Sequence, residues 1–276
     1  MKRALLLLFP LVLAAPAPAA AQDGSLARCG ALSAPAAEVA HHCRRALERG
    51  GLRAEQAFAA GLNLGDALIA LGRAGEAKAA FAAAAETGRE AGLDRVELHL
   101  GIARAEEALG DRRAAATAFD RALALAPRSV DVRLARGAFW LRLGQGEAAL
   151  EEFDAALRLD GGDADARFNR GLTLLTLGRD GAAEADFSAV IRDYPRDSGA
   201  FFHRARAREA ARPEAALGDY DEAAALAPEW ADPWLASARL LDRVGRREDA
   251  NARYRRAFEL GAKDPALLER IRALGG

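Results

Sequence analysis

The chain has 276 residues, of which 51% are hydrophobic and 29% charged, and a formal net charge of −1. That apolar content is enough to fill a buried core, and the prolines are few and scattered, which excludes a disordered chain. The 39 basic and 40 acidic side chains are spread along the whole length, so charge provides no basic stripe for nucleic acid or for an acidic membrane surface.

Residues 1–21 read as a leader. Lys2 and Arg3 open it, an apolar run broken by Pro10 follows, and Ala19, Ala20 and Ala21 place small residues before polar Gln22 and Asp23. The run is too short to span a membrane and no stop-transfer segment follows. A lipid anchor would need a cysteine at the cleavage point, whereas the first cysteine is Cys29, behind Arg28. The expectation is an exported protein of the periplasm, with no stable membrane span once the leader is gone.

Residues 22–57 hold an N-terminal loop, over 22–34, and a cap helix over 36–49. That helix places Val39, Ala40, Cys43, Ala46 and Leu47 on one side and ends at Gly50 and Gly51. Cys29 and Cys43 are the only two cysteines. In an exported chain they are expected to form a disulfide, worth about 3 kcal/mol in the chain-entropy model. Two unpaired thiols are the alternative. His41 and His42 adjoin Cys43, but consecutive helix residues diverge by about 100°, so the three cannot converge on one metal ion.

From residue 58 the chain repeats itself. In 130–162, Leu134, Gly137, Trp140 and Leu141 recur at helical spacing, then a turn at 144–146, then Ala149, Leu150, Phe153, Ala156 and Leu157. Each helix is about three turns long, too short to be stable alone, so the pair must bury its stripes against neighbours. The neighbours are copies. The second-helix aromatic recurs as Phe81, Phe119, Phe153, Phe187, Tyr220 and Tyr254, at intervals of 38, 34, 34, 33 and 34 residues. Each first helix carries a small residue in register: Gly65, Ala103, Gly137, Gly171, Ala205 and Ala238. A turn glycine follows at 72, 110, 144, 178 and 245, while the fifth copy has Arg212 there and Pro213 at the first turn of the next helix. The units run over 58–91, 96–129, 130–163, 164–197, 198–230 and 231–264. A short helix over 265–276, with Leu267, Leu268, Ile271 and Leu274, closes the chain.

This register resembles the tetratricopeptide repeat family, whose unit is a 34-residue helix–turn–helix with small residues where helices cross. The resemblance covers residues 58–264. It implies an all-α, right-handed superhelical solenoid of about six repeats, with an N-terminal cap helix and a C-terminal closing helix. The stretch from Cys43 to Leu52, leading straight into a repeat, resembles exported bacterial members of the family.

Catalytic motifs are missing: the sequence has no glycine-rich phosphate loop, no nucleophile elbow, no HExxH and no CxxC. No enzyme activity, cofactor or metal is expected. Glu106-Glu107, Glu151-Glu152 and the acidic run at 219–222 are expected to be solvated helix faces. The resemblance further implies that the first helix of each pair lines an inner face. There Leu134, Leu141, Phe168, Leu172, Leu175 and Phe202, with Arg206, would form a groove for an extended peptide or helix of another protein. Packing between repeats is the competing use of the same apolar residues. The Lys and Asn pattern by which some eukaryotic members hold a chaperone's C-terminal carboxylate is missing, since Asn63 and Asn169 fall beside the inner positions. The expected role is a non-catalytic scaffold or adaptor of the cell envelope, its partner unspecified and self-association open. Two alternatives remain: a binding subunit or accessory factor of an envelope enzyme complex, and a glycan- or small-ligand-binding module using Trp140, Trp230 and Trp234.

Overall fold

The computed structural model describes residues 24–31 and 33–273. The expected leader and Leu274 lie outside the described residues. Within them there are fifteen α-helices and no strand. The chain divides into two compact units, one ending at Val132 and the other starting at Arg133.

The first unit opens with α1 (Ser25–Cys29), where the sequence reads as loop. Five residues cannot hold a helix alone. This one is tied by the Cys29–Cys43 disulfide to α2 (Ala36–Arg49). Both cysteines are fully buried, and Asn63 donates its side-chain amide to the Cys29 carbonyl at 3.2 Å, which seats the α1–α2 cap on α3 (Ala54–Ala70). Next come α4 (Ala74–Ala91), ended by Gly92 in the left-handed region, then α5 (Val96–Ala108) and α6 (Arg112–Leu125). The core gathers around Phe58, Leu68 and Phe81.

Phe81 shows why small residues recur. Its ring is fully buried, and a Cβ added at Gly65 would lie 2.5 Å from it. Gly101, on the first helix of the next repeat, meets the same edge of that ring as closely. The aromatic fills a slot that only two side-chain-free backbones leave open. Gly65 was visible in the repeat register; Gly101 stands two residues before the register position Ala103 and was not.

The second unit begins within α7 (Val130–Arg142) and continues through α8 (Gly146–Leu159), α9 (Ala164–Thr176), α10 (Asp180–Asp193), α11 (Ser198–Arg208), α12 (Pro213–Leu226), α13 (Ala231–Arg243), α14 (Arg247–Glu259) and α15 (Pro265–Ala273). Each helix packs on its successor from α8 to α15. Phe153 and Phe187 are fully buried, against Gly137 and Gly171 respectively. Turn glycines at 144, 178 and 245 take φ of +73°, +69° and +82°, closing the first helices in the conformation that side chains resist. The fifth repeat lacks that glycine, and α11 ends after eleven residues, with the Arg212 amide donating to the Arg208 carbonyl at 2.7 Å before Pro213 starts α12. Asp163 and Asp197 cap α9 and α11 by accepting from the amides of Ala166 and Ala200. Leu267 and Ile271 of α15 are buried on the last repeat.

Candidate partner-binding face

The first-helix face of the second unit is carried on a ladder of buried ion pairs. In three consecutive repeats an arginine stands just before the small first-helix residue, where the family pattern has leucine. An acid stands just before the second-helix aromatic. Arg136 meets Glu152 at 3.4 Å, Arg170 meets Asp186 at 2.6 Å and Arg204 meets Asp219 at 2.7 Å. Two of these arginines also reach back one repeat, Arg170 to Asp154 at 2.8 Å and Arg204 to the Ser188 hydroxyl at 3.4 Å. Asp219 takes a second guanidinium, Arg208, at 2.8 Å, and Arg208 bridges on to Glu184 at 2.9 Å. Hydrogen bonds from Arg170 to Asp186 raise its guanidinium pKa still further.

This ladder corrects the expectation of solvated carboxylates. Glu152 and Asp219 are buried on ion pairs, and Glu106 is buried against Lys78 at 2.9 Å. Helical periodicity assigns a carboxylate to solvent unless its cation is known, and here each cation lies on another helix. A signal was nonetheless present: arginine and acid recur in step with the aromatic through the third, fourth and fifth copies. The sixth copy reverses the arrangement, with Arg253 before the aromatic and Ser237 in the arginine slot, bonded to each other at 3.2 Å.

Of the seven residues expected in the groove, Leu134 and Leu141 lie half-buried on α7. Phe168, Leu172 and Leu175, on α9, come together half-buried against a cluster of Leu174, Ala183, Phe187 and Ala207. Phe202 on α11 is half-buried, and Arg206, one turn on, is exposed. Helices α9 and α11 touch directly, and an ion pair from Arg243 to Glu209 ties α13 to α11. The aromatic rings serve packing as well as surface. Phe168 lies edge-on to Phe187 and to His203, both at 5.5 Å, and Phe202 is 5.6 Å from Tyr220 and 4.7 Å from Trp230. The Tyr220 hydroxyl donates to Glu209, and burial followed by that carboxylate pushes the phenol pKa up.

His203 sits inside this ring cluster, stacked on Phe187 at 5.7 Å, and its Nδ1 is buried with no hydrogen-bond partner. Burial, aided by the nearby Arg206 charge, lowers its pKa from 6.5 to about 4. The folded protein therefore holds it neutral while the unfolded chain protonates below 6.5. Its contribution is intact above that pH and is lost as pH falls from 6.5 towards 4, by up to about 3 kcal/mol. Urea unfolding across that range should show the loss, and His203→Phe should flatten it; an unchanged slope would place the imidazole in contact with water.

The tryptophans are engaged in protein contacts. Trp230 donates its indole N–H to Asp232 at 2.9 Å beside Phe202, Trp234 lies under the Arg253 guanidinium at 5.7 Å, and Trp140 is 4.8 Å from Phe139. No helix among the described residues is long and apolar enough to cross a membrane.

A tetratricopeptide repeat family model matches residues 100–164 and 141–198, and a second tetratricopeptide repeat model matches 62–87. Among solved structures, the chain is similar to PilW, described as a widely conserved type IV pilus biogenesis factor. The two are 20% identical with a TM-score of 0.68, over 78% of this chain and 99% of that one. A tetratricopeptide repeat protein from Parabacteroides merdae is 17% identical with a TM-score of 0.64, over 86% and 91%. The C-terminal part of a repeat-containing protein from Cytophaga hutchinsonii is 14% identical with a TM-score of 0.66, over 85% and 94%. At these identities the likeness is one of fold. No curated protein matches the sequence.

Proposed function

We propose, from the premise that this chain is a tetratricopeptide-repeat protein, that it is a non-catalytic scaffold of the cell envelope. It holds a peptide or helix of a partner protein on the first-helix face of its second unit. Such repeats generally mediate protein–protein contact, and the observation that carries the reading is the strip of half-buried Leu172, Leu175 and Phe202 on adjacent first helices, bordered by exposed Arg206. Leu134 and Leu141 are the half-buried residues at the matching register positions of α7. The rings of Phe168 and Phe202 are shared with packing, so Leu175 and Arg206 are the better reporters of a partner.

The leader over 1–21 and the buried Cys29–Cys43 disulfide support export to an oxidising compartment, the periplasm. A photo-crosslinking side chain placed at Leu175 or Arg206 should give a discrete adduct in the native compartment. One placed at Tyr194, 55% exposed on the loop after α10, should not. Equal labelling at all three positions, or none, would remove this reading.

A further inference from the structure

The register position one past the small first-helix residue runs Asp66, Arg104, Ala138, Leu172, Arg206 and Arg239. Where this slot holds a cation, the protein usually neutralises it from within. Arg104 meets the Asp66 carboxylate of the preceding repeat at 2.7 Å, and Arg239 meets Asp264 at 2.7 Å. Arg206 differs. It is exposed and its guanidinium has no ion-pair or hydrogen-bond partner among the described residues, and the slot one repeat earlier, which supplies Asp66 to Arg104, is Leu172. The nearby carboxylates are taken: Glu209 by Arg243 and the Tyr220 hydroxyl, Asp219 by Arg204 and Arg208.

We propose that the missing carboxylate belongs to the partner: Arg206 reads an Asp or Glu side chain that is flanked, in the bound peptide, by aliphatic or aromatic residues. This rests on the first-helix face being the binding face. The planar guanidinium offers a two-pronged site for a carboxylate, and the apolar surface beside it removes competing water. Phe202 one turn back and Leu172 and Leu175 on α9 take the flanking apolar side chains. Arg239 and Arg243 of α13 are already paired, with Asp264 and Glu209, so of these three arginines Arg206 is the one left for the peptide's carboxylate.

Random peptides displayed on phage and selected on the full exported chain test this. The selected peptides should be enriched in Asp or Glu next to Leu, Ile or Phe. Binding, read by fluorescence anisotropy, should weaken about tenfold in Arg206→Gln and more in Arg206→Glu. Selection on Arg206→Glu should turn the enrichment to Lys or Arg. Both variants should melt as the native protein does, because the side chain is exposed. Peptides lacking acids, or binding Arg206→Glu equally well while still weakened by Leu175→Ser, would overturn the charge reading and leave the face standing. Peptides indifferent to Leu175→Ser, or no selected peptides, would overturn the face and the charge reading together.

Discussion

Asp219→Ala is expected to destabilise the second unit by about 3–5 kcal/mol, the cost of leaving a buried cation without its counter-charge. The carboxylate is buried and receives both oxygens' worth of bonds from Arg204, and a third from Arg208, while the two guanidinium side chains are only 15% and 17% exposed. Removing the acid strands Arg204 and leaves Arg208 with Glu184 alone. The second repeat shows what would relieve them: its equivalent positions are Ile102 and Ala118, an apolar pair. Combining Arg204→Ile with Asp219→Ala should therefore recover most of the loss, since Arg208 keeps Glu184 at 2.9 Å. Urea unfolding of the single and double variants measures both effects. A single-variant loss below about 1 kcal/mol would make the ladder equivalent to surface ion pairs.

Phe81→Ala should cost about 3–5 kcal/mol in the first unit, because a fully buried ring leaves a cavity that its surroundings close poorly. The backbones of Gly65 and Gly101 wall one edge of it and cannot move inward without unpacking α3 and α5. The reverse insult, Gly101→Leu, should cost about 1–3 kcal/mol by overpacking the same slot. Phe258→Ala is the control: that ring is 44% exposed, and the change should stay within about 0.5 kcal/mol. Hydrogen exchange should find the Phe81→Ala damage concentrated in α3, α4 and α5, because repeats couple mainly to their neighbours. Protection lost evenly through the described helices would argue against that locality.

The all-helical repeat fold was legible because it is written as a period. Phe81, Phe153, Phe187 and Tyr220 stand in register, and the structure buries all four. The disulfide was legible from two cysteines in a chain expected to be exported. What escaped was aperiodic or spread over separate helices. The one-turn α1 has no stripe to detect and is held by a bond to another helix. Glu106, Glu152 and Asp219 look solvated until Lys78, Arg136 and Arg204 are placed against them. For the face itself, the sequence named Phe168 and Phe202 but could not divide them between surface and packing, because one ring does both. The isolation of Arg206 emerged only when its register mates were found to be paired.

The backward reach of Arg170 and Arg204 decides where this chain could be cut and rejoined. A graft that moved the fourth copy alone would part Arg170 from Asp154, and one that moved the fifth alone would part Arg204 from Ser188. The exchangeable cassette is thus longer than the 34-residue period: it takes in the second helix of the preceding copy, with the oxygen behind each guanidinium, as well as the second helix that carries the acid ahead of it.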